Sequence, residues 1–292
     1  MLNFRKIELE DFNEYKRCTE NNKEFSCENS FINLLVWQTA YNNMVAFSDG
    51  QLFIKSGTKD KERFKLPLGG DLKKGIEKIK EYKGGMPSFW VQEGPLLDEF
   101  RSIYGDEFRF ESYRDAADYI YLREDLATLS GKKYHSKRNH INAFSKKYDW
   151  RYEKINNENI DKVKLCAEEW YKENADRMNK AMLCEKSGVF TVLSNMKKLE
   201  ALGGAIFVGD RVVAFTVGSA VNGRVFDIHY EKALKDFNEA YTVINNQFAK
   251  NELSGFELIN REDDMGLEGL RKAKLSYNPH IILEKYTCRY KI

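Results

Sequence analysis

Two stretches of this sequence concentrate side chains able to move protons or hold anions. The first is Asn260-Arg261-Glu262-Asp263-Asp264, followed by Arg271 and Lys274 within Glu257 to Pro279. Carboxylates set among cations form the kind of group that acid–base chemistry requires. Glu262 and Asp264 are the candidate proton acceptors. Arg261, Arg271 and Lys274, with Asn260 and Tyr277, are candidates for holding a substrate phosphate or carboxylate. Asp263 or Asp264 can cap the helix that follows and favour its positive end. Capping does not account for Glu262, Arg261 and Lys274 together. Helical spacing puts Leu267, Leu270, Lys274 and Tyr277 on one face, so Lys274 interrupts an apolar stripe.

The second stretch, Gly131 to Tyr148, holds Lys132, Lys133, Lys137, Arg138, Lys146 and Lys147 with His135 and His140, and contains no acid. On a helix Tyr134, Ile141, Phe144 and Tyr148 share a face. Lys137 and Arg138 lie on or beside it, while Lys132, Lys146 and Lys147 point away. A solvated stripe keeps its bases opposite the apolar side. An inward guanidinium needs an acceptor, either an internal carboxylate or a ligand's phosphate or carboxylate. Lys137, Arg138 and Asn139 are therefore candidate anion-binding residues, with a structural ion pair as the alternative. The two histidines do not have the i, i+4 spacing of paired helical ligands, and no metal site is expected. Two weaker candidates remain. Glu93, in Gln92-Glu93-Gly94-Pro95 after a buried strand, is either part of a turn or reaches an interdomain cleft. His229, on the polar side of its strand, is either a hydrogen-bonding residue or a base.

The elements that position these groups follow from periodicity and turn signals. Val45 to Phe47 and Leu52 to Ile54 flank Asp49-Gly50, a hairpin turn. Asp71 caps a helix over Leu72 to Tyr82 that Gly84-Gly85 closes. A strand over Phe89 to Val91 precedes a helix starting near Pro95, and Phe108, Phe110 and Tyr119 to Leu122 supply further strands. Ser130-Gly131 breaks the chain. Helices are expected over 132–148, 156–173 and 187–202. A meander of strands follows over 205–208, 211–219 and 224–230, turning at Gly209-Asp210 and Asn222-Gly223. In its last strand Phe226, Ile228 and Tyr230 face one way, Asp227 and His229 the other. Then come a helix over 238–253, a strand over 256–259, a helix ending before Asn278-Pro279, and a final strand over 280–288. The strand over 256–259 delivers the acidic run to its C-terminal end, where α/β folds tend to place ligands.

Composition bounds the rest. The chain has 292 residues, which suggests two domains of ordinary size. With 47 Lys and Arg against 45 Asp and Glu, the net charge of +2 excludes a globally basic nucleic-acid coat and an acidic tail. The 19 Phe, 16 Tyr and 4 Trp provide ample core material. Five scattered cysteines without a C-x-x-C pair argue against a disulfide framework or zinc knuckle and for a reducing compartment. The opening MLNFRKIELEDFNEYK has no apolar signal-peptide core, and no apolar run approaches ~18 residues, so a cytoplasmic protein without a transmembrane segment is expected. The absence of G-x-G-x-x-G, Walker, G-x-S-x-G and H-E-x-x-H motifs removes the usual dehydrogenase, nucleotide-binding and hydrolase readings.

The element order is mixed α/β and matches the GNAT acyltransferase fold, in which a central strand pair splays apart to admit an acyl donor. Tyr134-His135-Ser136-Lys137-Arg138-Asn139-His140-Ile141-Asn142, together with Asn260 to Lys274, resembles the C-terminal domain family of phosphatidylglycerol lysyltransferases. The resemblance runs over most of the chain. It implies two tandem GNAT-like domains related to Fem-type aminoacyltransferases, divided as 1–129 and 130–292, with the main site in the second. Full lysyltransferases carry a large membrane domain ahead of this unit, and this sequence shows none. The Q/R-x-x-G-x-G/A loop of CoA-using GNAT enzymes is missing, the corresponding turn being Lys235 to Ala240. The expected activity is transfer of an activated acyl or aminoacyl group, with acyl-CoA or aminoacyl-tRNA as donor and no permanently bound cofactor. The acceptor would be an amine or hydroxyl of a small molecule, peptide or lipid headgroup. A backbone N–H near Tyr230 would meet the oxyanion. The rival expectation is a non-catalytic module binding tRNA or another anionic ligand.

Overall fold

Two short helices, α1 (Phe12–Thr19) and α2 (Phe31–Trp37), precede the first sheet of the computed structural model, which describes residues 1–58 and 61–291. Strands β1 (Met44–Ser48) and β2 (Gln51–Ser56) close through Asp49-Gly50, both at positive φ, as the turn signal predicts. Next to them lie β3 (Arg63–Phe64) and, parallel to it, β4 (Phe89–Gln92). Helix α3 (Leu72–Lys83) makes that crossover. It begins where Asp71 accepts the Lys74 N–H at 2.8 Å and ends at Gly84, whose φ is 74°. Helix α4 (Pro95–Tyr104) opens on its proline and leads to β5 (Phe108–Ser112).

The second half runs β6 (Asp118–Leu122), α5 (Arg123–Thr128), α6 (His135–Lys147), β7 (Trp150–Lys154), α7 (Ile160–Glu173) and α8 (Lys180–Ser194). It continues with β8 (Leu202–Val208), β9 (Arg211–Ala220), β10 (Val225–Ala233), α9 (Ala240–Asn251), β11 (Leu258–Asn260), α10 (Glu268–Leu275), β12 (Ile281–Leu283) and β13 (Lys285–Tyr290). The antiparallel meander β8-β9-β10 is the one expected. Helix α8 lies earlier than the 187–202 expectation. Asn179 caps it by accepting the Met182 N–H at 3.0 Å, and the residues from Leu202 are already strand. Gly203 and Gly204 belong inside β8 because a Cβ on Gly203 would come within 2.7 Å of the Ile155 side chain, and one on Gly204 would meet the Tyr152 ring.

The strand expected over 280–288 is in fact two strands in different sheets. The first sheet has the order β1-β2-β3-β4-β13-β5 and the second β12-β6-β11-β10-β9-β8-β7. Thus β13, from the C-terminus, fills the space between β4 and β5, antiparallel to both. Reciprocally β6 fills the space between β11 and β12, again antiparallel to both. Each sheet pairs its open backbone groups with a strand lent by the other half. A boundary between residues 129 and 130 therefore does not separate the sheets, since β6 lies with the second and β13 with the first. This is the tandem GNAT-like architecture, mixed α/β in both halves. Helix α2 adds to the exchange by sending Phe31, Ile32 and Leu34 into a core shared with Val189, Val192 and Phe215. Among the described residues no helix is long and apolar enough to cross a membrane.

Candidate active site

Strands β10 and β11 run parallel for three pairs only, the last being Asp227 with Asn260. Beyond that pair they part. On its other edge β10 carries a bulge between Ile228 and Tyr230, which leaves His229 as the extra residue facing the split. After β11 the chain stays tied to β6, through Arg261 N–H to Tyr119 O at 2.9 Å and Tyr119 N–H to Glu262 O at 3.1 Å. Glu262 adopts φ 57°, a left-handed conformation held by its N–H donating to the Asn260 side chain at 2.7 Å.

These constraints gather one polar cluster at the root of the split. Glu262 Oε1 lies 3.4 Å from His229 Nδ1 and accepts from Asn33 Nδ2 at 2.9 Å. The same Asn33 amide reaches Asp227 Oδ2 at 3.3 Å, and that oxygen is 3.3 Å from His229 Nδ1. His229 Nε2 and Ser219 Oγ share a hydrogen bond of 2.8 Å, and Ser219 borders a separate hollow of about 310 Å³ between α1, α2 and the end of β9. Behind the cluster Lys285 Nζ donates to Asp118 Oδ1 at 2.6 Å and to Glu28 Oε1 at 3.2 Å. Asp118 also accepts from the Cys27 N–H at 2.9 Å and Asn260 Nδ2 at 3.0 Å.

The electrostatics follow from burial and crowding. Burial, followed by the Glu262 and Asp118 charges, holds the Asp227 carboxyl well above its usual range. Burial likewise raises Asp263 to about 6, with Lys285 opposing. For Lys285 burial favours loss of the proton, but Asp118, Cys27 and Glu28 together outweigh it and hold the ammonium charged.

The candidate residues fall into three groups. Glu262, His229 and Asn260 meet at the split. Asp264 lies apart from that cluster. It is fully buried and accepts from Tyr119 Oη at 2.6 Å, Arg271 Nε at 2.8 Å and the Gly266 N–H at 2.9 Å. Burial opposes its charge, but these donors win and hold the carboxyl below its usual range. Nor does a side chain at 263 or 264 cap α10, whose N-cap is Leu267, itself exposed rather than on a buried stripe.

The cations are mostly engaged within the protein. Arg261 pairs with Glu231 at 2.6 Å across the split and lies over the Tyr277 ring at 4.7 Å. Arg271 bridges Asp264 and Asp115, the latter at 2.6 Å. Lys274 is buried and donates to the carbonyls of Arg261, at 2.6 Å, and Asp263. All three are thus engaged by groups of the protein itself. Lys137 is bound differently. Its Nζ donates to Ser276 Oγ at 2.7 Å and sits 3.7 Å above the Tyr277 ring, and burial, then Arg261, lowers its ammonium to about 8. Arg138 is turned away and donates to the carbonyls of Leu129 and Gly131, the end of α5. With Asn139, Asn246 and Lys250 it lines a second cleft of about 360 Å³ that the acidic turn does not border. Arg138 and Glu262 therefore do not line one pocket. Glu93 faces Arg101 at 3.6 Å, so it is a turn residue rather than a visitor to the split.

Sequence reasoning missed Asn33, Asp118, Asp227, Cys27 and Lys285. Asp227 carried a signal, an acid beside His229 on the polar side of an otherwise apolar strand. The others arrive from the exchanged strands and the segment around α2.

The family model described as "Phosphatidylglycerol lysyltransferase, C-terminal" matches residues 19–289. A structure of a conserved protein of unknown function from Bacteroides thetaiotaomicron is 35% identical, with TM-score 0.90 over 100% of both chains. The structure of L-PGS from Bacillus licheniformis is 15% identical, with TM-score 0.64 over 98% of this chain and 93% of that one. An uncharacterized protein of Mycoplasmoides gallisepticum is 26% identical over 196 residues, which span 66% of this chain and 61% of that protein's length.

Proposed function

We propose, from the premise that the chain belongs to the phosphatidylglycerol lysyltransferase C-terminal family, that it transfers an activated acyl or aminoacyl group to an amine or hydroxyl. The observation that carries this reading is the parting of β10 and β11 directly beyond Asp227–Asn260, with Glu262 and His229 at its root. A reacting carbonyl admitted between the strands would meet backbone N–H groups of β10 near Tyr230 that have no partner on β11. Such donors, aimed at a developing oxyanion, are worth about 10²–10³ in rate. Glu262 would accept the proton of the attacking amine or hydroxyl, directly or through water, with His229 Nδ1 beside it. The acyl–oxygen or acyl–sulfur bond of the donor then breaks as the new acyl–nitrogen or acyl–oxygen bond completes. Arg261 and Lys274 hold the turn that presents Glu262, and Lys137 is the cation offered to an anionic part of the donor.

The donor is aminoacyl-tRNA or acyl-CoA. The basic face of α6 and the missing CoA loop favour tRNA, and five free cysteines accord with work in a reducing cytoplasm. If six Lys and Arg meet phosphates, tRNA affinity falls ~10³-fold between 50 and 200 mM salt. A salt-insensitive titration together with tight CoA binding assigns the CoA donor instead. Glu262→Gln should fold normally and lose about 10²–10⁴ in turnover. Undiminished transfer by that variant overturns the assignment of Glu262, whereas a wild-type protein that binds tRNA and transfers nothing favours a non-catalytic binding module.

A further inference from the structure

Cys27, Asp227 and Glu262 come from three separate parts of the chain: a short turn before α2, strand β10, and the turn after β11. Their ligand atoms nevertheless all lie within 4.8 Å of one another. Among the described residues one atom here has no partner: Asp227 Oδ1 is buried without a hydrogen bond, while Oδ2 is held by Asn33. A buried carboxylate oxygen is expensive to leave unpaired, so the packing is incomplete at this point. His229 adds a fourth donor, its Nδ1 3.3 Å from Asp227 Oδ2 and 3.4 Å from Glu262 Oε1. Its other ring nitrogen is fixed by Ser219 at 2.8 Å, the second bond that orients a metal-ligating imidazole. The surroundings are rich in negative charge. Asp118, Glu28 and Asp263 add their carboxylates, whereas Lys285 is held by Asp118 and Glu28 with its Nζ also 3.8 Å from Cys27 Sγ, and Lys274 is held by backbone carbonyls.

We propose that Cys27, Asp227, Glu262 and His229 bind a divalent transition-metal ion of the Zn²⁺ or Co²⁺ type. One thiolate, one imidazole and two carboxylates suit a borderline-soft ion in a four-coordinate site, and disfavour Mg²⁺ and Ca²⁺, which take oxygen ligands. Binding displaces the Cys27 thiol proton, now directed at Asp118 Oδ1 at 3.3 Å, together with any proton on the Asp227 carboxyl, and releases them to the buffer. The inference goes beyond the transferase reading and does not rest on it. An ion held here occupies Glu262 and so competes with any proton transfer by that residue.

The test uses the full chain, stripped with a chelator and titrated with Co²⁺. The expected result is a thiolate-to-cobalt charge-transfer band saturating at one equivalent and erased by Zn²⁺, with Zn²⁺ also raising the melting temperature. Cys27→Ser should abolish that band, Asp227→Asn should weaken Co²⁺ binding at least ~10-fold, and Cys184→Ser, at the half-exposed thiol, should change neither. Should Asp227→Asn fail to fold, the wild-type titration decides alone. A wild-type protein with no charge-transfer band overturns the proposal, as does a band lost in Cys184→Ser and kept in Cys27→Ser. A melting temperature raised by a primary alkylammonium salt and untouched by Zn²⁺ also overturns it, and assigns the cluster to an organic cation.

Discussion

Asp118 and Lys285 stand 167 residues apart in sequence, one on each exchanged strand, and meet at 2.6 Å with both side chains essentially sealed from solvent. The pair therefore joins the two halves where each sheet has borrowed a strand from the other. It also fixes the floor of the cleft, because Asp118 binds Asn260 and the Cys27 N–H, and Asn260 holds Glu262.

Removing one partner of a buried ion pair leaves the other uncompensated, which costs about 3–5 kcal/mol. Lys285→Met should destabilise the protein by that amount in urea denaturation. Asp118→Asn keeps an acceptor for the Cys27 N–H while discarding the charge, so the double variant should recover a substantial part of the loss. Additive losses in the double variant would show that the pair does not couple the halves.

How much of this was legible beforehand depends on where the partners sit in sequence. The acidic turn, its delivery by a strand and the neighbouring meander were readable because their signals are local: Asn222-Gly223, the alternation through β10, and the clustered charges after Asn260. The strand exchange was not readable. Residues 280–288 look like one strand, and only pairing partners far away decide that Ile281–Leu283 and Lys285–Tyr290 serve different sheets. Asp264 misled for the same reason, since the donors that saturate it, Tyr119 and Arg271, come partly from the borrowed strand β6. Helical spacing puts Lys137 and Arg138 on or beside the apolar face, but it cannot tell which of two adjacent cations turns toward Tyr277 and which toward the end of α5.

Asp264→Asn separates anchoring from catalysis. Each hydrogen bond to this charged group is worth about 1.5–3 kcal/mol, so the variant should unfold at lower denaturant while its folded fraction keeps turnover within a few-fold. Its carboxyl sits below the usual range, so this stabilisation is complete above the ordinary carboxylate pKa and disappears as pH falls through the lowered one. Loss of turnover as deep as in Glu262→Gln, at matched folded fraction, would restore Asp264 to the reacting groups.

Lys137 gives a signal of opposite sign. Its ammonium is lowered to about 8 in the folded protein from an ordinary 10.5. Between those values the unfolded chain binds more protons, so this group alone makes stability rise with pH across that window. Below it both states are charged and the penalty for burying the ammonium is fully present. Denaturation midpoints from pH 7 to 10 should show the gap between Lys137→Met and wild type closing or reversing in favour of wild type. Parallel curves for the two proteins would mean that Lys137 keeps an ordinary proton affinity.

Gly218 on β9 pairs with Ile228 at the edge of the bulge that offers His229 to the cleft. A Cβ at 218 would fall far inside van der Waals contact of the Asp227 carbonyl oxygen and against the Phe226 ring, so no rotamer change relieves it. Gly218→Ala must push β9 from β10 at the residue that carries the cluster. Overpacking of this kind costs about 1–3 kcal/mol. Gly223→Ala, in the turn between the same strands with no described residue within 4 Å of the added carbon, supplies the control and should stay within about 0.5 kcal/mol of wild type. Because the displaced backbone is that of Asp227, Gly218→Ala should also lower turnover per folded molecule, and Gly223→Ala should not. Equal stability and activity in the two variants would mean that β9 yields without moving Asp227 or His229, and that the bulge does not set their geometry.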